Sequence, residues 1–124
     1  TSEAVPFAKT GGLADVAGAL PPALARLGHD VRLALPKYSA IDSAKIQSRP
    51  VGEPFEVPLG DQSVTVSVQV SEALDGVPTY LLDCPQYFQR DGLYGQRDDA
   101  ERFALFCLAV LRLVERDDWR PQVI

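Results

Sequence analysis

"LADVAGALPPALARLGHDVRLALP", residues 13–36, carries the pattern that commits this chain to an α/β architecture. Leu13, Val16, Ala17, Leu20, Leu24 and Leu27 recur at helical spacing. Gly28 stands just past the last of them, where helices commonly close. Pro21 and Pro22 interrupt the middle, which leaves either one kinked helix or two short ones. Val31, Leu33 and Leu35 then form a short apolar run closed by Pro36. Helix, glycine, turn and buried strand make the second half of a β-α-β unit. The first strand of that unit is expected upstream of Thr1.

Further along, the period changes. Val64, Val66, Val68 and Val70 alternate with Thr, Ser and Gln, which marks a half-exposed strand. It is expected to pair antiparallel with "PFEVPL" (54–59) through the turn "GDQS" (60–63). "DGVPTYLLDC" (75–84) reads as a second turn and a more fully buried strand, and 86–97 as a polar, aromatic loop. Residues 98–116 predict a long helix, with Asp98 and Glu101 as a capping box. Its buried face is expected at Phe103, Phe106, Cys107, Val110, Leu111 and Val114. The closing "RPQVI" reads as the start of another buried strand, so the sequence looks like a piece cut at both ends. The whole fits one α/β domain of Rossmann-like type, a parallel sheet with an inserted antiparallel β-hairpin.

Composition bounds the function. With 124 residues and 46% hydrophobic content, the chain suffices for one core. A net charge of −5 argues against a nucleic-acid partner or a polybasic membrane ligand. No apolar run approaches the roughly 18 residues of a membrane span. Cys84 and Cys107 lie in different elements without metal-like spacing, and are expected as reduced, buried thiols of a cytosolic protein. His29, the only histidine, follows Gly28 and suits a cap or surface position; alone it makes no metal site. Arg90 and Asp91 beside Gly92 read as a solvated turn, and Trp119 as a cover over the bottom of the sheet.

The chemistry concentrates just ahead of the first helix, in Lys9-Thr10-Gly11-Gly12. Residues 1–38 hold four Lys/Arg against three Asp/Glu, so an anion is tolerated there despite the acidic whole. Glycines at a helix entrance admit close backbone approach, and the first N–H groups with the helix dipole favour phosphate. Lys9 supplies a mobile point charge, and Asp15 a carboxylate for sugar hydroxyls. The string is neither a Walker A loop nor a dinucleotide fingerprint. On the residues alone, two readings stay open: an anion site, or a plain turn with a solvated lysine and an Asp15 that stabilises the first helical turn.

"TSEAVPFAKTGGLADVAGALPPALARLGHDVRLALPKY" resembles the N-terminal signature of bacterial glycogen synthases and plant starch synthases, the family 5 glycosyltransferases of GT-B fold. "VPTYLLDCPQYFQRDGLYG", "DDAERFALFCLAVL" and "WRPQVI" extend the resemblance over nearly the whole chain. It implies that residues 1–124 are part of an N-terminal catalytic domain, lacking its first strand and the C-terminal nucleotide-binding domain. It further implies glucose transfer from ADP-glucose to the non-reducing end of an α-1,4-glucan with retention, with no metal and no cofactor. Lys9, Thr10, Gly11, Gly12 and Asp15 match the segment that meets ADP-glucose, and Tyr94 matches an aromatic near the sugar. The His-x-x-Asp-Trp-His motif with the catalytic aspartate is missing, so no residue here is matched as catalytic and the isolated chain is expected to be inactive. The implied location is the cytoplasm, or the plastid stroma of a plant. Two alternatives stay open, a sucrose-synthase-like transferase with another donor and a non-catalytic glucan- or phosphate-binding module.

Overall fold

In the computed structural model, which describes residues 1–124, the opening helix is continuous. It is α1, Gly12–Arg26, and both prolines lie inside it without dividing it. They face inward with Ala14 and Gly18, and they leave the Ala17 and Gly18 carbonyls without their intrahelical donors. Its end has the expected chemistry: Gly28 takes φ +91°, its N–H donates to Ala25, and the His29 N–H donates to Leu24. This is a Schellman closure, with His29 exposed beyond it. The leucine stripe behaves differently. Leu13, Val16, Leu20 and Leu27 are exposed, because the helix approaches the sheet by its small residues.

Strand β1 (Leu33–Pro36) pairs parallel with β5 (Val77–Asp83), in register Leu35 to Leu81. The hairpin enters between them in sequence: β2 (Arg49–Pro50), β3 (Phe55–Leu59) and β4 (Gln62–Leu74). β4 pairs antiparallel with β2, β3 and β5, giving the order β1-β5-β4-β2 with β3 laid on β4. The Rossmann-like parallel pair and its inserted antiparallel hairpin therefore share one sheet. The valines of β4 all point inward, as period-2 alternation requires. Asp75 and Gly76, both at positive φ, turn β4 into β5.

Residues 86–97 are not loop throughout: α2, Pro85–Phe88, makes one turn after β5. The last helix, α3, spans Asp99–Arg116 and lies over β3 and β5. Its buried stripe is Arg102, Leu105, Phe106 and Ala109, which shares only Phe106 with the face expected. Cys107 and Leu111 are exposed, and Phe103, Val110 and Val114 only half-buried. The stripe is rotated because Arg102, a residue polarity places outside, is fully buried. The capping box does not form either. Asp98 is drawn to Arg90, both oxygens at 2.8 Å from Nη1, and Glu101 accepts from the Tyr87 hydroxyl at 2.6 Å. Arg90 is thus an ion-pair partner rather than half of a solvated turn with Asp91.

Both cysteines are free, Cys84 buried and Cys107 exposed. Trp119 caps the N-terminal end of β1: its ring lies 4.3 Å from the Arg32 guanidinium, and Nε1 donates to Asp30 at 2.7 Å. Residues 121–124 form no strand, and Val123 and Ile124 are exposed. β1 is an edge strand, and a groove of about 470 Å³ runs between it and α3, lined by Leu33, Ala34, Phe106, Val110 and Leu113. No helix is long and apolar enough to cross a membrane.

Candidate functional site

In a parallel α/β sheet, ligands gather beyond the carboxyl ends of the strands. Here those ends are Pro36 of β1 and Asp83 of β5, and three segments converge there. Tyr38, two residues after β1, donates from its hydroxyl to the Ser2 carbonyl at 2.8 Å. The α-amino group of Thr1 donates to Ala34 at 3.1 Å, so the chain start runs beside β1. From β5 the chain passes through α2 into residues 89–97, which carry Tyr94.

Lys9 and Asp15 meet directly, Nζ to Oδ1 at 2.6 Å, with side chains 50% and 57% exposed. An exposed pair of this kind is worth at most about 1 kcal/mol. A diphosphate can therefore draw Lys9 away at small cost and release Asp15 to accept from hydroxyls. Gly11 and Gly12 are open: a Cβ at either would find no atom within 4 Å. Neither has a positive φ, so nothing in the chain itself requires glycine there. α1 also begins without a side-chain cap, leaving its first amides and its positive dipole end for an anion.

Thr10 faces the other way. Its N–H donates to Glu3 Oε2 at 2.5 Å and its hydroxyl to both carboxylate oxygens at 3.0 and 3.2 Å. The Gly11 N–H reaches the same Oε2 at 3.2 Å. Gly11 thus turns its amide inward while its α-carbon stays open. Tyr94 completes the cluster, its hydroxyl 3.1 Å from Glu3 Oε1 and 2.8 Å from Ser2 Oγ. Tyr94 is 40% exposed, and its ring leans on Phe103, centroids 5.8 Å apart. The hydrogen bond from the Thr10 amide, foremost among several, holds the Glu3 carboxyl below the usual range against the opposing effect of burial. Burial raises the Tyr94 phenol.

The loop bearing Tyr94 is anchored from below. Arg102, wholly buried, donates from Nε to Tyr87 O at 2.7 Å and from Nη1 to Leu93 O and Asp99 Oδ1 at 3.3 and 2.5 Å. Its Nη2 has no hydrogen-bond partner. The guanidinium instead lies against the rings of Phe88 and Phe103, 5.8 and 5.5 Å from their centroids. Asp99 also accepts the Gly95 N–H at 2.7 Å. The Tyr87 hydroxyl, bound to the Glu101 carboxylate, is pushed up to about 12.

All six sequence-picked residues, Lys9, Thr10, Gly11, Gly12, Asp15 and Tyr94, fall at this one end of the sheet. Glu3, Ser2 and Arg102 were not among them. A carboxylate eight residues ahead of a glycine pair is a faint signal, since only the tight turn at Ala4–Ala8 brings it back.

A family model described as the starch synthase catalytic domain matches residues 1–124. The glycogen synthase of Clostridium perfringens is 50% identical over 124 residues, which cover all of this chain and 26% of that protein. The glycogen synthase of Bacillus cereus (strain B4264) is 46% identical over 123 residues, 99% of this chain and 26% of that one. Among solved structures, the catalytic domain of starch synthase IV from Arabidopsis thaliana, bound to ADP and acarbose, superposes with a TM-score of 0.85. It is 31% identical, over 93% of this chain and 24% of that one. The chain thus spans about a quarter of the length of the relatives it matches.

Proposed function

The chain belongs to the starch synthase catalytic domain family, and from that membership we propose that it is part of a glucosyltransferase that extends an α-1,4-glucan with glucose from ADP-glucose. Residues 1–124 form one wall of the donor cleft, in the N-terminal domain of a two-domain enzyme. The relatives are about four times as long as this chain, and in such an enzyme the opposite wall and the catalytic aspartate belong to the remaining sequence. Two free cysteines fit a cytosolic enzyme.

One observation carries this reading. The turn Lys9–Gly12 offers an uncapped helix start, two glycines open to approach and a lysine held only by an exposed carboxylate. It sits at the carboxyl ends of a parallel strand pair, where diphosphate groups are bound in such sheets. In use, Lys9 leaves Asp15 for the diphosphate, the α1 dipole stabilises charge gathering on the leaving group, and Gly11 and Gly12 let the sugar lie against backbone. Asp15 and the exposed ring of Tyr94 border the hexose.

Lys9→Ala in the full-length enzyme tests it. Losing one or two charge-assisted contacts lowers kcat/KM for ADP-glucose about 10- to 100-fold, with the melting temperature unchanged. Wild-type kinetics in that variant would overturn the donor role of the turn.

A further inference from the structure

We propose that Glu3 is a positioning residue that presets the Lys9–Gly12 turn and ties it to Tyr94, so that both parts of the cleft wall hold one geometry. The proposal rests on the donor-site reading above.

Glu3 is 4% exposed, yet none of the chain's ion pairs includes it. A buried carboxylate without a cation persists only when hydrogen-bond donors surround it. The donors are the Thr10 and Gly11 amides, the Thr10 hydroxyl and the Tyr94 hydroxyl. Each belongs to one of two segments, and these lie more than 80 residues apart in sequence. Oε2 takes both amides of the turn, while Oε1 takes the tyrosine and shares the Thr10 hydroxyl, so a single rigid carboxylate plane sets their relative placement.

Two consequences follow for the chemistry. With the Thr10 and Gly11 amides turned toward Glu3, the amides left for a phosphate are those that open α1, on the dipole axis. The Tyr94 hydroxyl, shared between Glu3 and Ser2, fixes the ring without using its exposed face. Glu3 need not touch the substrate to matter, since about 1 Å of misplacement can cost about 100-fold in rate.

The variants separate reach from charge. A glutamine at position 3 keeps one oxygen for the Thr10 and Gly11 amides and turns its NH2 toward Tyr94. Tyr94→Phe removes the same link from the other side and keeps the ring. In the full-length enzyme, Glu3→Gln is expected to lower kcat/KM for ADP-glucose about 10-fold or more and Tyr94→Phe about 3- to 10-fold. The KM for glucan and the melting temperature stay near wild type. The double variant falls no further than Glu3→Gln alone, because both remove one interaction. Wild-type donor kinetics in Glu3→Gln, or losses that multiply in the double variant, would overturn the proposal. Should Glu3→Gln not fold, Tyr94→Phe and Ser2→Ala carry the test, and wild-type donor kinetics in both would count against it. Lys9→Ala run beside them separates the two levels. If it too is silent, the donor-site reading fails; if it alone loses activity, only the role of Glu3 does.

Discussion

Two glycines of the opening segment show how one substitution can carry opposite signs. A Cβ at Gly18 would lie 2.4 Å from Val5 Cγ2 and 2.8 Å from the Val5 carbonyl oxygen. The methyl can rotate away, but the backbone oxygen cannot. Gly18→Ala is therefore expected to destabilise by about 1–3 kcal/mol, as overpacking does, read from urea midpoints. At Gly12, the first residue of α1, the same methyl meets nothing within 4 Å. Gly12→Ala should leave stability unchanged or raise it by up to about 1 kcal/mol, since alanine has less chain entropy to lose. On the donor-site proposal that methyl stands in the way of ADP-glucose, and in the full-length enzyme kcat/KM is expected to fall about 10-fold or more. A more stable, less active variant assigns the glycine to the ligand. Unchanged kinetics would assign it to the turn alone.

Between elements, legibility followed the range of the interaction. The valines of β4 and the Gly28 closure of α1 could be read directly, because their causes lie within a few residues. The start of α1 behind its two glycines was legible for the same reason. Glu3 was not, because its partners return through a tertiary turn. The rotation of α3 was hidden by Arg102, whose burial depends on acceptors from Tyr87, Leu93 and Asp99 in a neighbouring segment. Arg102→Met would keep the volume and strand those acceptors. It is expected to cost about 2–3 kcal/mol, below the full value for a broken buried pair because Asp99 keeps some solvent contact. Amide exchange at Leu93 and Gly95 should accelerate with it, and Arg102→Lys should not restore either, lacking the planar fork. A methionine variant within 0.5 kcal/mol of wild type by about the ordinary surface range would show that the loop stands without its arginine.

At the scale of the molecule, the unexplained feature is the apolar stripe of α1. Leu13, Val16 and Leu20 are 50%, 61% and 53% exposed, on the helix whose N-terminus forms the candidate site. The groove beside edge strand β1 adds more uncovered apolar surface, with Leu111 of α3 on its rim. Surfaces of this kind are seldom left to water in a finished protein. The relatives are about four times as long as this chain, so the rest of such an enzyme has ample sequence to cover them. The two situations make different demands on the same residues. In the 124-residue chain, replacing Leu13, Val16 and Leu20 together by glutamine removes little packing and should change stability by no more than about 0.5 kcal/mol per site. In the full-length enzyme the same triple change should cost several kcal/mol, about 2 or more per buried leucine, and lower the melting temperature accordingly. If the first turn of α1 meets the donor as proposed, that loss should be accompanied by weaker ADP-glucose use even where folding survives. Equal tolerance in both proteins would show that the stripe stays a surface, and that the position of α1 is set by Ala14, Gly18 and the two prolines alone.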